Sequence, residues 1–303
     1  RVGDSRESLA EPARSFVRPE AERLLAELER PETTHQRRAA IGDRLDQLGD
    51  PRPGVGLRAD GVPDIVWCDI PGGTVEIEYA YVNDSQIEHV RQVFEVRPFR
   101  MAKYPITYRQ YKAFADAPDG YADARWWRDL THRDSPGDQY RPTGNHPAEA
   151  VSWCDAIAFC RWLGGKLGIE VRLPAEWEWQ QATRSGDPTF EFPWGREWGE
   201  QNANTSESRL SRTTAVGMYP SGISKQGVLD LPGNVWEWCL SGYDEPLNEY
   251  IANRSFKSKG KKAHENQRLR GVARRVIRGG SWRDPRGPAS ALSWKRHSMS
   301  RSG

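Results

Sequence analysis

Val171-Arg172-Leu173-Pro174-Ala175-Glu176-Trp177-Glu178-Trp179-Gln180-Gln181-Ala182 separates two textures of chain. Pro174 stands just ahead of a first helical turn, Glu176 complements the helix dipole, and the two tryptophans supply core volume. This is the last helix that the sequence predicts. Beyond Gly186 the chain is rich in Gly, Pro, Asn and Ser and holds few helical periods, so ordered loops pinned on short strands are expected. Upstream, helices start after Thr107 and Ser152, each an N-cap hydroxyl followed by apolar residues at i, i+3 and i+4. Gly164-Gly165 is expected to end the second of them. Residues 75–81 and 93–100 alternate with period two, as half-buried strands do. The class is therefore α+β.

Working outward to the N-terminus, residues 7–30 and 33–48 carry Leu24, Leu25 and Leu28, then Ile41, Leu45 and Leu48, at helical spacing. Pro31 breaks the pattern, and Gly49-Asp50-Pro51-Arg52-Pro53-Gly54-Val55-Gly56 stops it. The expected organisation is a helical hairpin with a Pro/Gly linker over 1–60 and one domain over 61–303. The hairpin is expected to be either a linker to an upstream domain or a flap on this one.

Composition bounds the function. The chain has 303 residues, and 44 Lys and Arg against 42 Asp and Glu leave a net charge of only +2. That balance excludes a chain that acts along its whole length as a nucleic-acid binder or a polybasic membrane protein. Mean hydropathy is −0.80, yet 13 Trp, 10 Tyr and 8 Phe provide apolar area in large units, which argues against disorder. No run approaches 18 apolar residues, and residues 1–7 lack a hydrophobic signal region. A start at Arg1 suggests a piece of a longer or processed protein. Cys68, Cys154, Cys160 and Cys239 form no Cys-x-x-Cys pair, so buried free thiols, a reducing cytoplasmic setting and no zinc are expected.

Six motifs then occur in order: 99–111 (beginning Phe99-Arg100-Met101), His146-Pro147-Ala148-Glu149-Ala150-Val151-Ser152-Trp153, Arg172-Leu173-Pro174-Ala175-Glu176-Trp177, Phe192-Pro193-Trp194-Gly195, Gly233-Asn234-Val235-Trp236-Glu237-Trp238 and Arg278-Gly279-Gly280-Ser281-Trp282. Together they resemble the formylglycine-generating enzyme (sulfatase-modifying factor) domain. The resemblance implies a variant of the C-type lectin fold: a small twisted antiparallel sheet, flanking helices and much ordered loop. It also implies structural Ca2+, with Asn234 and Glu237 as side-chain ligands and Gly233 or Val235 as carbonyl donors, oxygen ligands that suit a hard cation. A second implied calcium loop starts at Ala203-Asn204-Thr205, but its expected Asp falls near Ser208.

The family's oxidase chemistry requires two cysteines after Gly-Gly-Ser-Trp to hold copper, a soft metal that needs thiolates. Here Arg283, Asp284, Pro285, Arg286, Gly287, Pro288 and Ala289 follow, and no Cys occurs after Cys239. No copper and no formylglycine synthesis are expected, with Asp284 and Ala289 nearest the missing positions. A related branch, the ergothioneine-type sulfoxide synthases, holds non-haem iron with histidines of an added helical domain. The six histidines here, His35, His89, His132, His146, His264 and His297, show no paired helical spacing, and His146 reads as scaffold. No Gly-x-Ser-x-Gly, phosphate loop or His-Glu-x-x-His is present.

Residues 283–302 differ from the family's more regular Arg/Asn-rich ending. Arg283, Asp284, Arg286, Ser293, Trp294, Arg296, His297, Met299 and Arg301 are the candidate ligand-binding residues, of types common in recognition surfaces. This arrangement resembles the variable proteins of diversity-generating retroelements. The junction 49–73 resembles the one found where this domain ends larger bacterial signalling proteins. The leading expectation is a non-catalytic recognition domain for a protein or other macromolecule, coupled to an upstream effector domain of the same polypeptide, with no membrane or nucleic-acid partner. One alternative is a divergent oxidase with a non-haem metal. Another is an anion or nucleic-acid binder through 254–275, where nine Lys and Arg stand against Glu265 alone. The family's closing Gly-Phe-Arg strand is missing, so the sheet is either short of a strand or completed otherwise.

Overall fold

In the computed structural model, residues 19–83, 86–130, 135–184, 186–243, 274–285 and 297–299 are described. Helices α1 (Glu20–Leu28) and α2 (His35–Leu48) precede the antiparallel pairs β1 (Trp67–Ile70) with β4 (Phe99–Ala102) and β2 (Gly73–Asn83) with β3 (Gln86–Val96). Then follow α3 (Tyr108–Asp116), α4 (Trp153–Leu167) and α5 (Glu176–Arg184). The last sheet has the order β5 (Glu237–Gly242), β6 (Arg275–Arg278), β7 (His297–Met299), all antiparallel. Among the described residues beyond α5, the only helical turns are three short 3-10 turns, as the composition predicts. The third strand of that sheet comes from His297–Met299, which pairs along 275–277.

Local chemistry sets the helix starts. Thr107 and Ser152 each accept from the backbone N–H three residues on, and Gln110 and Asp155 bond back to the cap N–H, two complete capping boxes. The expected stop at Gly164-Gly165 is corrected: α4 runs through both glycines and ends at Gly168, whose φ is 67°. The glycines serve packing instead. A Cβ on Gly164 would lie 2.8 Å from the Ile169 carbonyl, and one on Gly165 would lie 3.0 Å from the Trp126 ring. The buried face of α4 joins Tyr111, Phe114, Tyr121 and Trp127 in the largest apolar cluster, where Phe114 and Phe159 meet edge to face.

The N-terminal hairpin lies on the domain as a flap. Ile41 and Leu45 of α2 join Leu24 and Leu28 of α1 and pack against Ala215, Met218 and Tyr219. Gly42 permits the approach, since a Cβ there would come within 2.7 Å of the Ala215 methyl. An acidic row on α2 completes the contact. Asp43 receives both Arg212 guanidinium nitrogens at 3.0 and 2.7 Å and lies 3.3 Å from His146, while Asp46 accepts from Arg109 and from the Asn145 N–H. Desolvation pushes the Asp43 carboxyl up, but the hydrogen bonds from His146 and Arg212 outweigh it and hold the group well below the usual carboxylate range. His146 also bonds Thr213 through its other nitrogen, so the scaffold reading of this histidine agrees with its place in the interface.

Helix α5 is tied to β6 by a buried ion pair. Arg278 donates to Glu176 at 2.8 Å, both side chains are 0% exposed, and the same nitrogen reaches Gln180 at 3.1 Å. Removing one partner of such a pair leaves an uncompensated buried charge. Glu176→Leu or Arg278→Met alone should therefore cost about 3–5 kcal/mol in urea melts, whereas the double replacement should recover most of that loss. Equal, additive losses would assign the cost to packing rather than to charge.

Candidate functional site

The site is assembled where the turns 203–214, 230–237 and 279–284 meet. Gly233 and Asn234 both have positive φ, 86° and 59°. Glycine is required at 233, because a Cβ would lie 2.5 Å from the Asn204 carbonyl. The Gly233 N–H donates to the Gly279 carbonyl and the Asn234 N–H to the Asn204 carbonyl. The Asn234 side chain accepts from the Thr214 N–H at 3.0 Å and from the Asn204 amide at 3.2 Å, and it donates to the Thr214 carbonyl. Its own carbonyl accepts from the Trp282 N–H, the residue from which the C-terminal segment leaves.

The two implied calcium loops thus converge on each other. Asn204 donates to the Arg212 carbonyl, and its oxygen accepts the Ser208 hydroxyl at 2.8 Å. Both asparagine oxygens are therefore taken by protein donors. Thr205 and Thr214 add neutral hydroxyls that are buried without a hydrogen-bond partner, and Glu237 accepts the Trp179 indole N–H at 3.0 Å. Among the described residues no group of three or more His, Cys, Asp or Glu converges. A hard divalent cation is held largely by carboxylate charge. A cluster of two amides and three hydroxyls does not supply it, so the Asn204 and Asn234 arrangement does not fit Ca2+, and Val235 contributes no charge.

Of the expected recognition residues, Arg283 is exposed and Met299 is 39% exposed. Asp284 is corrected: it is buried, in a turn where its N–H bonds the Ser281 carbonyl, so it belongs to the scaffold. His297 lies on β7 opposite Ile277, in the sheet rather than in a loop. Arg286, Ser293, Trp294, Arg296 and Arg301 lie outside the described residues. So does most of the basic run 254–275; of its end, Arg275 is buried with its guanidinium 4.3 Å from the Trp153 ring centre. That arginine is a core residue and not part of an anion surface.

All four cysteines are buried free thiols. Burial pushes the Cys160 thiol up to about 12 and raises Cys68 as well, which disfavours the thiolate form a soft metal needs.

Two carboxyls stand beside the site: Asp230, which is buried and was not singled out in the sequence, and the half-buried Glu237, expected as a calcium ligand. Desolvation pushes Asp230 up to about 6, partly offset by the Gly217 N–H that it accepts at 2.5 Å. Desolvation likewise pushes Glu237 up to about 8, opposed by the Trp179 hydrogen bond and reinforced by the charge of Asp230. A raised folded value means that the stability these groups contribute is complete below their ordinary values and is lost as pH climbs through the folded ones. The loss should run from about pH 4 to 8. Glu237→Gln should match the parent at pH 5 and exceed its stability at pH 8.5 by roughly 1–3 kcal/mol in urea melts. Identical curves at both pH values would show that the half-buried carboxyl keeps its ordinary hydration.

Comparison with known proteins agrees with this geometry. The sulfatase-modifying factor enzyme 1-like domain model matches residues 58–302. Hercynine oxygenase of Mycobacterium tuberculosis is 30% identical over 221 residues, 64% of this chain and 48% of that protein. Formylglycine-generating enzyme of Thermomonospora curvata is 30% identical over 220 residues, 56% of this chain and 69% of its own. The chain thus spans about half to two-thirds of the length of these relatives. Treponema denticola variable protein 1 superposes with a TM-score of 0.54 over 79% of this chain and 91% of its own, and at 19% identity this shows a shared fold alone. With the family model covering four-fifths of the sequence, the chain belongs to the sulfatase-modifying factor enzyme 1-like domain family.

Proposed function

We propose that this domain is a recognition module rather than an oxidase, presenting residues 283–302 from a rigid scaffold to a protein or other macromolecular ligand. The observation that carries this reading is the fate of the thiols. The turn that leads into the family's copper-binding cysteines leads here to Arg283 and a buried Asp284, while all four cysteines are buried free thiols elsewhere in the core. A scaffold with an exchangeable segment separates stability from specificity. The resemblance to variable proteins of diversity-generating retroelements adds that the segment differs among sister copies. Four reduced thiols suit a cytoplasmic setting, and an upstream effector domain is the natural recipient of a binding signal.

A second reading, an oxygenase related to hercynine oxygenase, is favoured by the 30% identity over 221 residues. In that case iron ligands come from outside the described residues. One pair of measurements separates the two. A displayed random-peptide library is panned on the protein and on Trp294→Ala with Arg296→Ala, after melting curves show that the variant retains the parent's stability. The module reading expects clones whose binding falls at least about tenfold on the variant, a loss of roughly 1.4 kcal/mol or more of the kind that hot-spot residues carry. It also expects no oxygen uptake with hercynine and added iron(II). Iron-dependent oxygen uptake, or clones indifferent to the substitutions, would overturn it.

A further inference from the structure

We infer that the amide and hydroxyl knot of Asn204, Ser208 and Asn234, closed on the backbone of Thr214, is a metal-independent mount, which fixes the root of the C-terminal segment by neutral hydrogen bonds where a cation would otherwise cross-link the loops. Three observations carry this. Asn234 joins three turns at once: its side chain grips both backbone groups of Thr214, its N–H holds Asn204, and its carbonyl receives the Trp282 N–H. The donors that occupy the two asparagine oxygens come from the chain itself. Ser208 is decisive among them, because a hydroxyl donates to the Asn204 oxygen at the place where a carboxylate would repel it and call for a cation instead. The charge balance agrees. The knot residues are all neutral, and Asn204, Asn234, Ser208 and Thr214 are each no more than 3% exposed. A divalent ion among them would be buried without counter-charge, which is strongly unfavourable.

The geometry links this device to Trp282 and the buried Asp284 turn. The Trp282 N–H bonds Asn234, Asp284 bonds Ser281, and Gly233 bonds Gly279, so the knot and the turn share one set of backbone hydrogen bonds. Positive φ at Asn234 concentrates local strain at the joint, and the side-chain bonds hold the residue there. Calling the knot a mount for recognition rests on the proposed function, whereas its independence of metal does not.

The test uses the full chain and no ligand, so its failure and the failure of the recognition reading can be told apart. After dialysis against calcium followed by metal-free buffer, elemental analysis should find calcium far below one per chain, and the melting temperature should be the same in EGTA and in millimolar calcium. Near-stoichiometric calcium, or a melting temperature that falls in EGTA, would overturn metal independence. Asn234→Ala should speed amide exchange over 279–285 while residues 35–48 keep their protection. Exchange that rises equally in both regions, or in neither, would overturn the mount. Should Asn234→Ala not fold, Ser208→Ala serves: it should lower the melting temperature by about 2–4 °C in EGTA and in calcium alike, and restoration by calcium would count against the inference.

Discussion

The Arg278 and Glu176 ion pair is the constraint on which the rest of the structure depends. Taking both charges out of water costs several kcal/mol per ion, and the return is geometric fixity rather than bulk stability. With both side chains fully enclosed and Gln180 sharing the same guanidinium nitrogen, β6 has one permitted position against α5. That position determines where the chain emerges at Gly279 and Gly280, which turn with φ of 97° and 79°. A Cβ on Gly279 would strike the Leu231 carbonyl at 2.6 Å, so the close pass between this turn and 230–234 follows from the ion pair and from the absent side chain together. The polar knot and the root of the C-terminal segment are downstream of that pass.

Much of this was legible in the sequence where the determinants are local. Thr107 and Ser152 announce their helices because a cap needs only the next three residues. The disappearance of α-helix after Gly186 is compositional and equally local. Gly164-Gly165 misled because glycine is also chosen when another chain passes close by, and the approach of Trp126 and Ile169 is a tertiary fact. The same holds for the site. Asn204 and Asn234 read as parts of two separate oxygen-ligand loops, and nothing in their 30-residue separation indicates that one donates to the other. Asp284 read as a recognition residue by type and position, but a tight turn on Ser281 carries it inward.

The flap deepens the contrast between scaffold and segment. Its acidic row on α2 meets Arg212, His146, Arg109 and Asn145, partners scattered over a hundred residues that only the folded loops bring together. Family matching begins at residue 58, so this clamp lies outside the matched region yet shares its core with Ala215, Met218 and Tyr219. The packing of α1 and α2 on Ala215, Met218 and Tyr219 crosses the change of composition near residue 60.

Buried cations here have a carboxylate or an aromatic face: Arg278 has Glu176, Arg52 has Asp50 at 2.6 Å, and Arg275 lies over Trp153. Glu237 is treated differently. It stands at the start of β5 with an indole N–H as its hydrogen-bond donor, and Asp230 adds a like charge to its surroundings. Desolvation then favours the protonated form of Glu237, opposed by the indole hydrogen bond from Trp179. On the proposed recognition reading, a root held by the neutral side chains of Asn204, Ser208 and Asn234 leaves the charge of the C-terminal segment to act on a ligand instead of on its own support, the electrostatic counterpart of separating a fixed scaffold from an exchangeable surface.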